Sequence, residues 1–469
     1  MIELWRDEMD ILTNIVKVIN EYLWNYGLLF LLCGTGLYFT IRLKFIQVRK
    51  FGRGFKMAFG GLFKKNKDKA DAGGMTSFQS LATAIAAQVG TGNLVGAAGA
   101  LIAGGPGAIF WMWVSAFLGM ATIYVEATLA QKFKSTKDGV VVGGPRYYIM
   151  AAFKGKFGKV LAAIFSILIV LALGFMGNMV QSNAIGNAFE SAFNIPAWTM
   201  GIAVAAIAVV IFIGGVKRIA SVTEKLVPFM ALLYIVGALI VIFANVTKIP
   251  GAFGQIFVGA FNPQAVTGGV IGITIQKAMR FGVARGLFSN EAGMGSTPHA
   301  HALAKVKHPC DQGLVAMMGV FIDTLIILNL TAFAVMITGQ LNTYNQDLTG
   351  AALTQAAFTA GFGKFGAIFI AICMFFFAFS TIIGWYFFGE KNVRYLFSKH
   401  ANLATKIYAA LVVVFIVLGS TLKVNLVWNL SDLFNSLMVI PNVLGLWALS
   451  GTAKELYEDW KKQAPAKVK

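Results

Sequence analysis

Residues 75–105 read MTSFQSLATAIAAQVGTGNLVGAAGALIAGG, an apolar stretch long enough to cross a bilayer. Its middle is Gln88-Val89-Gly90-Thr91-Gly92-Asn93. Two glycines and three polar side chains at mid-bilayer depth make poor material for a continuous helix. An unpaired backbone group in hydrocarbon costs several kcal/mol, so such a break survives only where it lines a cavity or grips a ligand. A broken helix offers N–H groups to an anion and C=O groups to a cation at the midplane, which is the construction expected of a secondary transporter.

The rest of the chain agrees with a membrane setting. Of 469 residues, 57% are hydrophobic and 13% charged, and the mean hydropathy is +0.72. No soluble domain could solvate that surface, so the fold class expected is an all-α, multi-pass membrane protein. The first span follows an acidic N-terminus and precedes a basic loop, so it does not read as a removable signal peptide. Cys33, Cys310 and Cys373 are scattered, which predicts neither a disulfide nor a zinc site.

Hydropathy places about eleven spans, near 21–42, 77–103, 107–131, 158–189, 197–216, 222–246, 264–288, 312–338, 364–389, 404–422 and 427–450. Most of the 39 Lys and Arg residues fall in alternate loops and the C-terminal tail. The positive-inside rule then puts the N-terminus outside and the C-terminus in the cytoplasm, with the protein in the plasma (inner) membrane. The net charge of +19 is accounted for by topology and by contact with anionic lipid. No nucleic-acid motif and no obligate protein partner is evident.

Setting the first span aside leaves five spans from 77 to 246 and five from 264 to 450. An odd number per half gives the halves opposite topology, as in an inverted repeat. The expected organisation is 1–74 (extra helix and basic loop), 75–250 (first repeat), 251–452 (second repeat) and 453–469 (cytoplasmic tail). Each half opens on a glycine-rich helix, at Val89–Asn93 and at Gly268–Thr274, so the second break is expected at the latter.

Candidate contacts follow. Free N–H groups at Thr91 and Gly92 suit a carboxylate, aided by the helix dipole. Carbonyls near Ala86 and Val89 face a cation instead. Hydroxyls supply further hard oxygen ligands, and Ser380-Thr381, inside an apolar span, are the expected source. Back-bonding to a carbonyl one turn earlier is the plainer use of such residues. Trp385, one turn on, is open to three roles: pocket wall, inner gate or packing. In the fourth span, Phe175 could cap a substrate, and Asn178 and Gln181 could contact it or bond between helices. Asp323 is functional by default at its depth: a second cation site, a proton carrier, or a partner of Lys277, Arg280 or Arg285. Glu126 shares the ambiguity. Arg285 and Glu291 are expected to pair at an inner gate. His299, His301 and His308 match no zinc spacing, and no transition metal is expected. Nothing offers a nucleophile with a base in reach, so no enzyme is expected.

Seven segments, AQVGTGNLVGAA (87–98), GGPRYY (143–148), FNPQAVTGG (261–269), GVARGLFSNEAGMGS (282–296), QGLVAMMGVFIDT (312–324), FAFSTIIGWYFFGE (377–390) and WNLSDLFNSLMVIPN (428–442), closely resemble the alanine or glycine:cation symporter family. The resemblance runs along nearly the whole chain. It implies a LeuT-type fold, with one extra N-terminal helix and two broken helices, that moves alanine or glycine with sodium. Some members use protons or prefer glutamine. It further implies substrate contacts at Thr91 and Gly92 and, in the second broken helix, at Gly272, Ile273 and Thr274; with the reading of the residues above, the expected substrate contacts are Gln88, Gly90, Thr91, Gly92, Asn93, Phe175, Gly177, Asn178, Gln181, Gly272, Ile273, Thr274 and Trp385. Sodium would fall on the carbonyls of Ala86, Val89 and Phe377 and the hydroxyls of Ser380 and Thr381. An ion channel of the same composition is the rival from another class, but no carbonyl filter or charge ring is present.

Overall fold

The computed structural model describes residues 2–60, 74–137, 140–262, 274–341, 350–422 and 424–463. The chain is helical from Ile2 to Arg42 through a π turn at Trp24–Leu28 (α1). A short basic helix, Phe51–Phe59 (α2), follows. The bent pair comes next: Ser77–Gln88 (α3) and Gly92–Gly104 (α4), inclined by 46°. Then come Gly107–Lys132 (α5), a two-stranded antiparallel hairpin of Ser135–Lys137 (β1) and Val140–Val142 (β2), and Pro145–Ala152 (α6). Gly155–Phe193 (α7), Ala197–Ile213 (α8), Gly215–Ala244 (α9) and Ile249–Phe261 (α10) complete the first part. The second part holds Ile275–Asn290 (α11), Pro309–Ile337 (α12), Gly350–Phe362 (α13), Phe365–Leu396 (α14), Ala401–Thr421 (α15), Val424–Ala448 (α16) and Ser450–Gln463 (α17).

Among the described residues, seven helices are long and apolar enough to cross a membrane, or eight if the bent pair is one span. Two other expected spans, 21–42 and 197–216, contain the shorter apolar helices Leu29–Arg42 and Ala197–Ile213. The expected span at 264–288 begins outside the described residues and is seen from Ile275 onward. Four helices, α2, α6, α10 and α13, occupy segments read as connection.

The bent pair lies at the centre. α3 packs on α9 and α14, α4 packs on α11, and α5 packs along α11 and α12. The core chemistry fits: α14 buries Phe377 through Gly389 without interruption. Lipid-facing helices instead show one apolar exposed side, as with Ile207, Val210 and Ile213 on α8. With no hydrophobic force between helices in lipid, close backbone approach and interhelical hydrogen bonds hold such a bundle.

Two ends can be distinguished. At one, α3 is tied to the segment after α11 by main-chain bonds, Met75 N–H to Leu303 O (2.9 Å) and Lys305 N–H to Met75 O (3.0 Å). A capping box of Thr76 and Gln79 starts α3 there. Gln79 Nε2 also donates to Glu224 (2.9 Å), and Thr83 meets Thr223 at 3.0 Å. The C-terminal helix α17 docks at this same end. Its Trp460 donates to Asp311 (2.8 Å) and lies beneath the Arg53 guanidinium, 4.0 Å from the ring centre. At the opposite end α13 sits over the start of α4, where Thr354 donates to Leu94 O (2.7 Å), and Gln355 donates to Ala188 O (3.1 Å).

Candidate functional site

The helix α3 fails at Val89, whose backbone turns extended (φ −81°, ψ 90°) after its N–H bonds Ile85 O. The next amides take side-chain acceptors: Gly90 N–H donates to Asn93 Oδ1 (2.9 Å) and Thr91 N–H to Gln181 Oε1 (3.2 Å). The carbonyls left behind are met from α14. Ser380 Oγ donates to Ala86 O (3.1 Å), and Thr381 Oγ1 donates to Ala86 O (3.0 Å) and Val89 O (3.5 Å). Both hydroxyls also lie against Phe377 O, at 2.8 and 3.1 Å. These last two are ordinary back-bonds, but the contacts to Ala86 and Val89 cross between helices. They need close approach, which two glycines allow. A Cβ on Gly384 would sit 2.8 Å from Ala87 Cβ, and one on Gly90 would sit 2.3 Å from Thr381 Oγ1.

The interruption expected at Gly268–Thr274 lies outside the described residues up to Ile273, Gly272 and Ile273 included; Thr274 is an exposed cap at the start of α11, its hydroxyl accepting from Lys277 N–H. A further interruption among the described residues falls after Asn290. Glu291, Gly293 and Gly295 all adopt left-handed φ (+58°, +91°, +77°), and a helical turn resumes at Pro298. The two glycines meet this conformation at no steric cost. Glu126 of α5 holds the loop, accepting from Gly293 N–H (3.1 Å), Gly295 N–H (3.0 Å) and Asn442 Nδ2 (2.6 Å).

The two interruptions touch. Gln88 Nε2 donates to Asn290 O (2.7 Å), and a Cβ on Gly92 would sit 2.9 Å from Ser289 Cα. Asn93 Nδ2 donates to Asp323 Oδ1 (2.8 Å), which Ser289 Oγ also reaches (2.9 Å). Trp385 Nε1 and Ser296 Oγ both donate to Glu291. Every one of these side chains is buried.

Among the described residues, Gln88 Oε1 and Thr91 Oγ1 at the first break, Gln181 Nε2 of the amide bonded to it, and Asn178 Oδ1 in the same helix as Gln181 are buried without a partner. Buried polar atoms are almost always bonded. Two acceptors, an amide donor and a hydroxyl are a complement for a small group that is anionic at one end and cationic at the other. Asn178 spends its amide on Gly174 O (3.0 Å), and Gly177 abuts the Trp385 ring. Gln181→Leu is therefore expected to weaken substrate binding about 10- to 100-fold, since it strands the Thr91 amide at a cost of about 1–3 kcal/mol. Competition binding against labelled substrate checks this.

Other residues have neighbours the sequence did not indicate. Phe175 packs its ring on Phe415 and Tyr408 of α15 (4.7 and 5.7 Å). It sits in a π turn, Val170–Gly177, which rotates the helix faces from the regular register. Among the described residues Asp323 pairs with no Lys or Arg; its partners are Asn93, Ser289 and Thr324 (2.8 Å). Arg285 pairs with Asp432 (3.1 Å) rather than Glu291. Sequence reasoning did not bring in Ser289, Asn290 or Thr324, and Glu126's grip on the interruption after Asn290 was also missed. The available signal was the run Ser289–Ser296, where small and polar residues directly follow a helix.

Comparison with solved structures defines the fold. The fold is similar to the crystal structure of MhsT in complex with L-phenylalanine (TM-score 0.57, 13% identity, 85% of this chain and 100% of that one). It is also similar to a sodium-coupled sialic acid symporter in its substrate-bound outward-open state (TM-score 0.58, 14% identity, 92% and 86%). The fold is of the LeuT type. Sequence narrows the class: residues 9–469 match the sodium:alanine symporter family, and the chain belongs to it. It is 41% identical to a sodium/alanine symporter of Methanococcus maripaludis over 442 residues, covering 93% of this chain and 95% of that one. It is also 41% identical to a probable sodium/glutamine symporter of Bacillus subtilis over 456 residues, covering 97% and 92%. The chain is thus a multi-pass amino-acid transporter and not an enzyme.

Proposed function

We propose that this protein carries a small neutral amino acid, alanine or glycine, into the cell together with sodium by alternating access. The observation that carries the reading is the convergence of five oxygens, from Ala86, Val89, Phe377, Ser380 and Thr381, at separations of 2.8–3.5 Å. Ligand oxygens around a hard cation sit about 2.3–2.6 Å from it, so neighbours in its shell lie about 3–3.5 Å apart. Sodium is the substrate that these neutral oxygens suit.

The amino acid rests against the first break. Its carboxylate takes the Gln181 amide and the Thr91 hydroxyl, at the start of α4, where the helix dipole favours a negative charge. Its ammonium takes the free oxygens of Gln88 and Asn178. Sodium draws α3 against α14 and orders the break, and the ordered break binds the carboxylate. Each ligand stabilises the shape the other needs, so the coupling is reciprocal. The two ends alternate around this point: the Met75 tie opens to the cytoplasm, and α13 withdraws to the outside. The basic loops lie in the cytoplasm against anionic lipid, with the C-terminus inside and the N-terminus outside. Segments 75–250 and 251–452 act as inverted halves, each contributing one interruption to the centre.

Proton coupling is the second reading. It is favoured by Glu126, Glu291 and Asp323, which are buried and, among the described residues, have no Lys or Arg within ion-pair distance. The test is uptake of labelled alanine into proteoliposomes at fixed pH, with an inward sodium gradient against an equal potassium gradient. Accumulation with sodium alone supports the proposal. Equal accumulation with either cation sinks it, and glutamine and a proton gradient are then substituted.

A further inference from the structure

We propose that Arg146 and Lys391, with Arg394 beside them, form a site for the phosphate of an anionic lipid, at the end of the bundle that the orientation above places in the cytoplasm. The site shares no residue with the ion and substrate clusters and does not depend on which cargo is carried.

Arg146 stands in the first turn of α6. Its guanidinium lies against two rings, 4.2 Å from the centre of Tyr147 and 3.9 Å from that of Tyr395 on α14. Ring contacts position such a group but leave its in-plane N–H fork to be matched. Nη2 donates to Tyr147 Oη, whereas Nη1 is buried and has no partner among the described residues. No Asp or Glu among the described residues lies within ion-pair distance of Arg146. Burial holds the guanidinium below its ordinary pKa, and only the two tyrosines oppose that.

The neighbours add charge of the same sign. Lys391 Nζ and Arg394 Nη2, at the end of α14, share one carboxylate, Glu390, at 3.8 and 3.2 Å. Lys391 and Arg146 are close enough to repel each other. Three cations therefore meet one acid. Poorly solvated charge is costly without a counter-charge. A phosphate matches the guanidinium fork in its plane and accepts from an ammonium as well. Basic pockets between helices at the cytoplasmic side suit phosphate head groups. The charge bias of topology accounts for basic loops, but not for a guanidinium nitrogen closed off from water without a partner. Arg146 as a residue is partly exposed, so small shifts of its neighbours uncover that nitrogen.

The surroundings favour a lipid over a free anion. α7 packs on α6 and turns Phe157, Val160 and Ile164 outward, and Phe397 is exposed just beyond α14. Acyl chains gain from that apolar surface, and a soluble phosphate does not.

Occupancy bears on how this end of the bundle holds together. Gly144 and Asn392, close to Arg146 and Lys391 in the chain, both meet His299. A Cβ on Gly144 would sit 2.7 Å from His299 Cδ2, and Asn392 Nδ2 lies 2.9 Å from His299 Nε2. His299 belongs to the helical turn that resumes after the Glu291–Gly295 interruption. A phosphate that bridges α6 and α14 tightens their clasp on this turn.

Native mass spectrometry of the purified full-length protein tests the site, with dioleoyl-phosphatidylglycerol and dioleoyl-phosphatidylcholine as probes and inorganic phosphate as competitor. One phosphatidylglycerol per chain is expected to bind about 25-fold more tightly than phosphatidylcholine, at about fivefold for each of the two surplus charges. Arg146→Gln is expected to lower that preference by about fivefold or more, since it removes the fork with the charge. Arg394→Gln, at an exposed side chain, is expected to lower it about fivefold, and serves should Arg146→Gln fail to fold. Equal affinity for the two lipids in the native protein overturns the proposal. So does a preference left intact in either folded variant. Displacement of phosphatidylglycerol by millimolar inorganic phosphate overturns the lipid and assigns the site to a soluble anion. Every readout is lipid binding, so the symport reading stands or falls separately.

Discussion

Replacing Ser380 and Thr381 together by alanine is expected to raise the sodium concentration for half-maximal uptake about a hundredfold. Each hydroxyl is a direct ligand in the proposed cluster, and a contact to a charged partner is worth about 1.5–3 kcal/mol. Two such losses, at about 1.4 kcal/mol per tenfold, give a hundredfold or more. The protein itself should survive the change. Each hydroxyl back-bonds to Phe377 O, and that bond is dispensable, while the α3–α14 contact also rests on Gly384 against Ala87. Uptake measured across a series of sodium concentrations decides it. A curve superimposable on that of the native protein would show that sodium binds elsewhere.

Gly90→Ala is expected to abolish transport. The new methyl would lie 2.3 Å from Thr381 Oγ1 and 3.1 Å from Gln181 Oε1. It would therefore disturb the cation cluster and the amide that positions Thr91 at once. Overpacking in a tight site costs about 1–3 kcal/mol, and here the strain falls on ligand atoms, so uptake should drop by more than about a hundredfold. Gly99→Ala is the control, because a Cβ there meets nothing within 4 Å. Retained uptake in Gly90→Ala, at the level of Gly99→Ala, would mean that the break does not hold substrate or ion in this geometry.

The first break was legible because its disruption is local. Polar and glycine residues stand inside a long apolar run, and hydrocarbon gives their backbone groups no alternative partners. The hydroxyl pair was legible for the same reason, and the structure sets it against the carbonyls named from sequence. The interruption after Asn290 was not, because its position is a tertiary matter. Hydropathy falls through Ser289–Ser296, so the segment reads as an aqueous loop. In the fold it is buried by α5 and α16, with Glu126 and Asn442 supplying the bonds that water would have made. Neither residue is near it in sequence. The neighbours of Phe175 were hidden for a different reason: within Val170–Gly177 the π turn breaks the regular periodicity, so spacing alone cannot say which neighbour the ring meets. Asp323 was recognised as exceptional, but its partners were sought among basic residues, whereas the fold surrounds it with hydroxyls and an amide.

The tie between Met75 and the strand-like stretch at Leu303–Lys305 is made by main-chain atoms alone. Side-chain drift at those positions leaves the fastening intact, so its strength is effectively a constant of the architecture. Adjusting how readily this end unzips then falls to the flanking side chains: Ser80 on Ala300 O (2.8 Å), Gln131 on Ala304 O (2.8 Å) and the Thr83–Thr223 contact. Turnover rate can thus be set by residues that touch neither cargo, in small steps of about 0.6 kcal/mol per interhelical bond, while the latch beneath them stays the same.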